Sequence, residues 1–251
     1  MTGTLVAFAA AFAAGAINSV AGGGTLLTFP TLVWLGLPSI VANATSTVSI
    51  WPGTVGAMWG YRRELRDADV PLWAFALPSL SGGLLGAMLL RQTPTLVFDR
   101  LVPALILFAT LLFMAQEPIQ RLVGHASDRH KSPRWLLGAV LFQFLVGLYG
   151  GYFGAGIGIL MLAALGILGM RDIHQMNGVK NLLALVINGI ASAYFVSTGM
   201  VRWTEVTVMA VGAIAGGIGG AGLARRAGRR VVRWVVIAIG FGMATSLALR
   251  P

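Results

Sequence analysis

Cysteine is absent from these 251 residues, which excludes disulfides, thiolate catalysis and thiolate metal sites. Acid is scarce as well. Only Glu64, Asp67, Asp69, Asp99, Glu117, Asp128, Asp172 and Glu205 carry carboxylates, and none falls in the middle of a long apolar run. His125 and His130 lie in a central polar loop, and His174 follows Arg171 and Asp172 at the edge of an apolar run. No metal-ligand spacing, nucleophile elbow or P-loop occurs. These gaps argue against an enzyme, and no catalytic residue, metal or cofactor is expected. A proton-coupled mechanism would have to use His174, Asp172 or a bound solute itself.

Charge of either sign is thin. Charged residues make up 10% of the chain, where a soluble domain carries about 25%. Hydrophobic residues make up 57%, and the mean hydropathy is +0.81. That leaves too little polar surface to coat a globule in water, so the solvent is lipid. The net charge of +10 invites a nucleic-acid reading, but twelve of the eighteen basic residues sit in three short clusters. These are Arg62, Arg63 and Arg66; Arg121, Arg129, Lys131 and Arg134; and Arg225, Arg226, Arg229, Arg230 and Arg233. Each lies between apolar runs, where the positive-inside rule places cytoplasmic loops. No nucleic-acid module is recognisable, and no nucleic-acid partner is expected. The first residues, MTGTLVAFAAAFAAG, are apolar but lack the basic stretch of a cleavable signal. They read as a retained part of the protein.

Ten apolar elements are predicted, at 4–20, 24–37, 39–60, 71–91, 98–116, 134–150, 154–170, 174–199, 203–224 and 231–249. The 14-residue element at 24–37 would cover about 21 Å as a helix, short of a ~30 Å hydrocarbon core. Loops 61–69, 117–133 and 225–233 are separated by even numbers of elements, so all three fit one, cytoplasmic, side. Counting back places the N-terminus outside. Five elements per half is odd, so the halves enter the membrane from opposite faces as an inverted repeat. The expected division is a first repeat at 1–120, a linker at 121–133 and a second repeat at 134–251. The fold class is all-α and polytopic.

The repeat is visible in residues. Gly15 to Leu32 reads GAINSVAGGGTLLTFPTL, and Gly147 to Leu165 reads GLYGGYFGAGIGILMLAAL. At an offset of 134, Gly22 falls on Gly156, Gly24 on Gly158 and Asn43 on Asn177. A doubled, glycine-interrupted apolar segment is the sequence mark of a transporter built from two related halves. Backbone N–H groups at a half-helix start, with the positive end of its dipole, favour an anion. Gly22, Gly23, Gly24, Gly154, Gly156 and Gly158 are therefore candidate ligands, with Asn18, Thr25 and Thr28 as further donors. The alternative use of such glycines is close helix packing.

Beyond each glycine cluster runs a helix with a polar stripe. At 100° per residue, Asn43, Thr47 and Thr54 fall within about 40° of each other, with Ser46 beside them. Asn177, Asn181 and Asn188 take the matching places, and Lys180 stands where Ser46 was. Polar groups in lipid are costly unless they face a cavity or a partner, so the two stripes read as walls of one site. Interhelical hydrogen bonding is the plainer use of such residues, and a lysine near a helix start can instead snorkel. Pro52 is assigned to helix shape, and Trp51, the least interfacial tryptophan, to the cavity wall.

The runs NSVAGGGTLLTFPTLVWLGLPSIVANATSTV and GYFGAGIGILMLAALGILGMRDIHQMNGVKN together resemble the sulfite exporter TauE/SafE family, or toluene-sulfonate uptake permeases. The likeness covers essentially the whole chain. The second motif departs from it, with Ile157 between Gly156 and Gly158 and no proline at position 164. The resemblance implies a multi-pass protein of the bacterial cytoplasmic membrane that moves sulfite, organosulfonates or related small anions. The expectation is thus a secondary transporter working by alternating access on a small anionic solute. Membrane lipid is the other expected partner, with a homodimer left open. The rival expectations are an anion channel on the same fold and a carrier of a non-anionic metabolite.

Overall fold

The computed structural model describes the chain except residues 1, 21–22, 61, 67–70, 124–132, 168–169, 171, 221–228 and 250–251. Every element in it is helical: α1 (Thr2–Val20), α2 (Thr25–Trp34), α3 (Ser39–Gly60), α4 (Arg62–Arg66), α5 (Leu72–Gln92), α6 (Thr95–Val123), α7 (Pro133–Tyr152), α8 (Ile157–Ile167), α9 (Ile173–Ser197), α10 (Trp203–Ala215) and α11 (Arg229–Ala248). A π-helical turn, Gly216–Gly220, continues α10. The ten predicted elements all appear, most with ends within about three residues. The largest differences are α6, which runs seven residues past its predicted end at 116, and α10, which stops as an α-helix nine residues before 224 and continues as the π-helical turn to Gly220. The short α4 was not foreseen.

Among the described residues three helices are long and apolar enough to cross a membrane, at Leu72–Gln92, Thr95–Ala115 and His174–Ser197. Polarity runs inside-out relative to a water-soluble protein. Leu77, Leu85 and Leu89 of α5 and Leu137, Leu141 and Leu145 of α7 face outward, while Thr28, Thr45, Ser46, Ser49, Ser79 and Gln143 are buried. Apolar side chains outside and polar groups paired inside is the distribution that lipid selects.

The two glycine breaks are hairpins. A Cβ placed on Gly24 would lie 2.8 Å from the Ala14 carbonyl oxygen, and one on Gly3 would lie 3.5 Å from Leu35. So α2 returns alongside α1. It ends where Gly36, at φ +91°, allows Leu37 N–H to reach back to Leu32 O, a Schellman stop that glycine's left-handed conformation makes cheap. Likewise α8 packs back on α7. With ten and eleven residues, α2 and α8 cover only about 15–17 Å.

Packing repeats between the halves. α5 lies along α7 as α1 lies along α10; α5 meets α9 as α10 meets α3; α3 crosses α9, and α6 lies beside α11. Exchanging each helix for its counterpart 134 residues away converts the first contact of each of the two pairs into the second and leaves α3–α9 and α6–α11 unchanged. Glycines set the closest approaches. Cβ atoms on Gly86 and Gly151 would stand 2.1 and 2.0 Å from the carbonyl oxygens of Leu148 and Gly83. On Gly15 and Gly216 they would stand 2.1 and 1.9 Å from those of Ala213 and Phe12. Those are backbone-to-backbone contacts, and only glycine permits them.

Candidate functional site

The first break is tied by Asn18, whose Oδ1 accepts the Gly24 N–H at 2.8 Å. Gly23 turns the chain at φ +93°. From α2, the buried Thr28 hydroxyl lies 2.6 Å from Ser46 Oγ of α3, and Thr25 is buried beside it in sequence. One N–H at the α2 start is thus already satisfied by Asn18. Gly22 lies outside the described residues.

In the second break Gly154 and Gly156 take φ +80° and +81°. Tyr149 donates its hydroxyl hydrogen to Ala155 O at 2.7 Å, fixing the bend. Phe153 meets Phe29 of α2 edge to face, with ring centroids 5.3 Å apart. Both breaks close on α6. A Cβ on Gly23 would lie 2.8 Å from Phe113, and one on Gly156 would lie 3.5 Å from Leu112 and 3.7 Å from Ala109. Positions 109, 112 and 113 share one helix face, so the two hairpin tips are neighbours there.

Around these tips stand the two walls. On α3, Asn43 is 1% exposed and donates Nδ2–H to Tyr152 O, at the mouth of the second break, at 3.0 Å. Its Oδ1 is buried without a partner. Thr47 donates to Asn43 O at 3.0 Å, bonding within its own helix. On α9, Lys180 donates from Nζ to Asn177 Oδ1 at 3.0 Å. Its stem crosses the start of α8, since a Cβ on Gly158 would lie 3.3 Å from Lys180 Cδ. Asn188 is buried, with Oδ1 3.9 Å from where a Gly154 Cβ would stand; Asn181 is half-buried. The matching residues Ser46 and Lys180 therefore each address the first turns of their own half's short helix.

Three of these features were not legible in the sequence. Tyr149 is one, because its partner is a carbonyl. Thr45 is another; its Oγ1 accepts Arg202 N–H at 3.0 Å just before α10. The third is the buried Gln143–Ser79 hydrogen bond of 2.8 Å between α7 and α5. Trp51, expected on the cavity wall, donates its indole N–H to Leu185 O of α9 at 3.2 Å and covers Gly189. It is a strut between the halves. Asp172, named as a proton carrier, is the exposed N-cap of α9, accepting from His174 and Gln175 N–H at 2.7 and 3.3 Å. Thr54 bonds back to Trp51 O.

Two cavities lie away from this cluster. One of about 210 Å³ is lined by Thr4, Leu35, Thr204 and Glu205, among others, and Glu205 Oε2 is buried there without a partner. The other, about 300 Å³, is an apolar groove between α1, α2 and α11, including Ile17, Pro30 and Ile239. No candidate residue lines either one. Among the described residues no cluster of His, Asp or Glu is fit to hold a metal.

Comparison with known proteins gives the family of the chain. The profile of the family described as sulfite exporter TauE/SafE matches residues 7–247. A probable membrane transporter protein of Haemophilus influenzae is 28% identical, covering 96% of this chain and 93% of its own. The probable membrane transporter proteins ORF9 of Sinorhizobium and YfcA of Escherichia coli K12 are each 27% identical, covering 97% and 96% of this chain and 92% and 88% of their own. No solved structure matches. A chain with buried polar walls, apolar outer faces and this match over nearly its whole length belongs to the sulfite exporter TauE/SafE family, and is a membrane transporter rather than an enzyme.

Proposed function

We propose that this chain is a secondary transporter of the bacterial cytoplasmic membrane that moves a small anion by alternating access, with sulfite, an organosulfonate or a related sulfur-containing anion as its substrate. The observation that carries the reading is Lys180. Its stem crosses Gly158 in the first turns of α8, so a cation is packed against the positive end of a half-helix. Two positive ends repel unless a negative group lies between them. The amide of Asn177, which accepts from Lys180 Nζ at 3.0 Å, makes that position polar. The exchange of packing partners between halves fits two related repeats, and the odd element count with the basic loops is what makes their insertion opposite. Loop residues 67–70, 124–132 and 221–228 lie outside the described residues, so the orientation rests on the sequence.

The test is flux into proteoliposomes with radiolabelled sulfite, sulfate and a sulfonate panel, with and without a pH gradient. Saturable uptake accelerated by counter-substrate is expected, whereas a channel would give neither. Lys180→Glu should reduce anion flux by roughly a hundredfold, on the scale of losing a buried charge partner, about 3 kcal/mol. Undiminished anion uptake by that variant would remove Lys180 from the site, and no response to any of the anions would favour a cation or a neutral metabolite as cargo.

A further inference from the structure

We infer that the transported oxyanion brings its own hydrogen: the site takes a singly protonated oxyanion, and Asn43 Oδ1 accepts that hydrogen. The inference rests on the anion-transport reading above and adds the protonation state that the site selects. The amide of Asn43 is oriented by its surroundings, because Nδ2–H points at Tyr152 O at 3.0 Å. Turning the amide over would set two carbonyl oxygens face to face, so nitrogen and oxygen are fixed by the bonding pattern. Oδ1 then faces away from Tyr152, and it has neither a hydrogen-bond partner nor solvent.

Native interiors seldom leave such an acceptor bare, and the nearby hydroxyls are engaged elsewhere. Thr47 Oγ1 donates to the Asn43 carbonyl, while Thr28 and Ser46 bond each other. The missing partner is therefore a donor from outside the protein, at the mouth of the second break where Asn43 meets Tyr152. A fully deprotonated oxyanion offers only acceptors and would meet Oδ1 oxygen to oxygen. Hydrogen sulfite offers one hydrogen. Its charged oxygens suit the N–H groups at the α8 start, and its O–H suits Asn43.

The experiment uses the full chain in proteoliposomes held at the same pH on both faces. Radiolabelled sulfite is compared with methanesulfonate, which has the same charge, does not titrate in this range and carries no donor. As pH rises, sulfite flux should fall in step with the hydrogen sulfite fraction. Methanesulfonate should run roughly tenfold slower at the acid end, equivalent to about 1.4 kcal/mol, with no such trend. Asn43→Leu should narrow that preference to about twofold. The wild-type comparison stands even where this variant fails to fold. Methanesulfonate carried as fast as sulfite would overturn the inference, leaving a buried water as the donor and anion transport intact. Transport of neither anion would overturn the anion reading and the inference with it.

Discussion

Single glycines at the breaks do two different jobs. Gly24 has an ordinary right-handed backbone, φ −57° and ψ −29°, so any residue fits its conformation. Its constraint is space, since a Cβ would stand 2.7–2.9 Å from the Asn18 side chain and Ala14 O. Gly156 is the reverse, with φ +81° and the nearest atom at 3.5 Å. Gly24→Ala should lose about 1–3 kcal/mol by overpacking, and Gly156→Ala roughly 1–2 kcal/mol by left-handed strain. Asparagine tolerates that strain but not a clash, so Gly156→Asn should recover stability while Gly24→Asn should be worse than alanine. Melting temperatures in detergent decide it, and rescue by asparagine at both sites would refute the distinction. Asn43, Asn188 and Lys180 were legible in the sequence because a polar residue in an apolar run has to face something. Tyr149 and Thr45 were not, because each partner is a main-chain group that every residue possesses.

Helices in lipid gain little from hiding apolar surface against each other, so their association depends on close backbone contact. This explains why α5 and α7, and equivalently α1 and α10, are the glycine-rich seams. Gly82 and Gly86, Gly147 and Gly151, and Gly212 and Gly216 are each spaced by four residues and face a neighbouring backbone. That spacing was readable, yet the hairpin glycines drew the attention that these seams also warranted. Gly86→Ala should cost about 1–3 kcal/mol and lower the melting temperature. Gly138→Ala, also in a helix but with nothing within 4 Å, should leave stability unchanged or raise it by up to about 1 kcal/mol. Equal effects would show that helix propensity, not the seam, sets the glycine content. Element ends were legible where hydropathy falls sharply. They were missed on α6, whose last turns pass Gln116 and Glu117 and remain helical to Val123, because hydropathy reports lipid contact and not backbone conformation.

At the scale of the molecule, polar links between the halves among the described residues include Asn43 to Tyr152 O, Trp51 to Leu185 O, Gln143 to Ser79, Thr93 to Tyr152 and Arg202 N–H to Thr45. On the alternating-access reading proposed above, the halves shift against one another across this interface. Ser46 reports on such a shift. It is fully buried on α3 against the first half-helix, so in the present arrangement no aqueous reagent reaches it. The chain has no native cysteine, so Ser46→Cys provides a unique thiol of similar size. Alternating access requires that this thiol become reachable from each face in turn, never from both at once. An impermeant maleimide should then label it from either side of oriented vesicles. Saturating sulfite on one side should draw the site toward that side and slow labelling from the other by severalfold. A channel on the same fold would be labelled from both faces together, with sulfite slowing both equally. The ratio of the two rates, read by gel shift with and without sulfite on one side, separates a rocking pair of halves from an open pore.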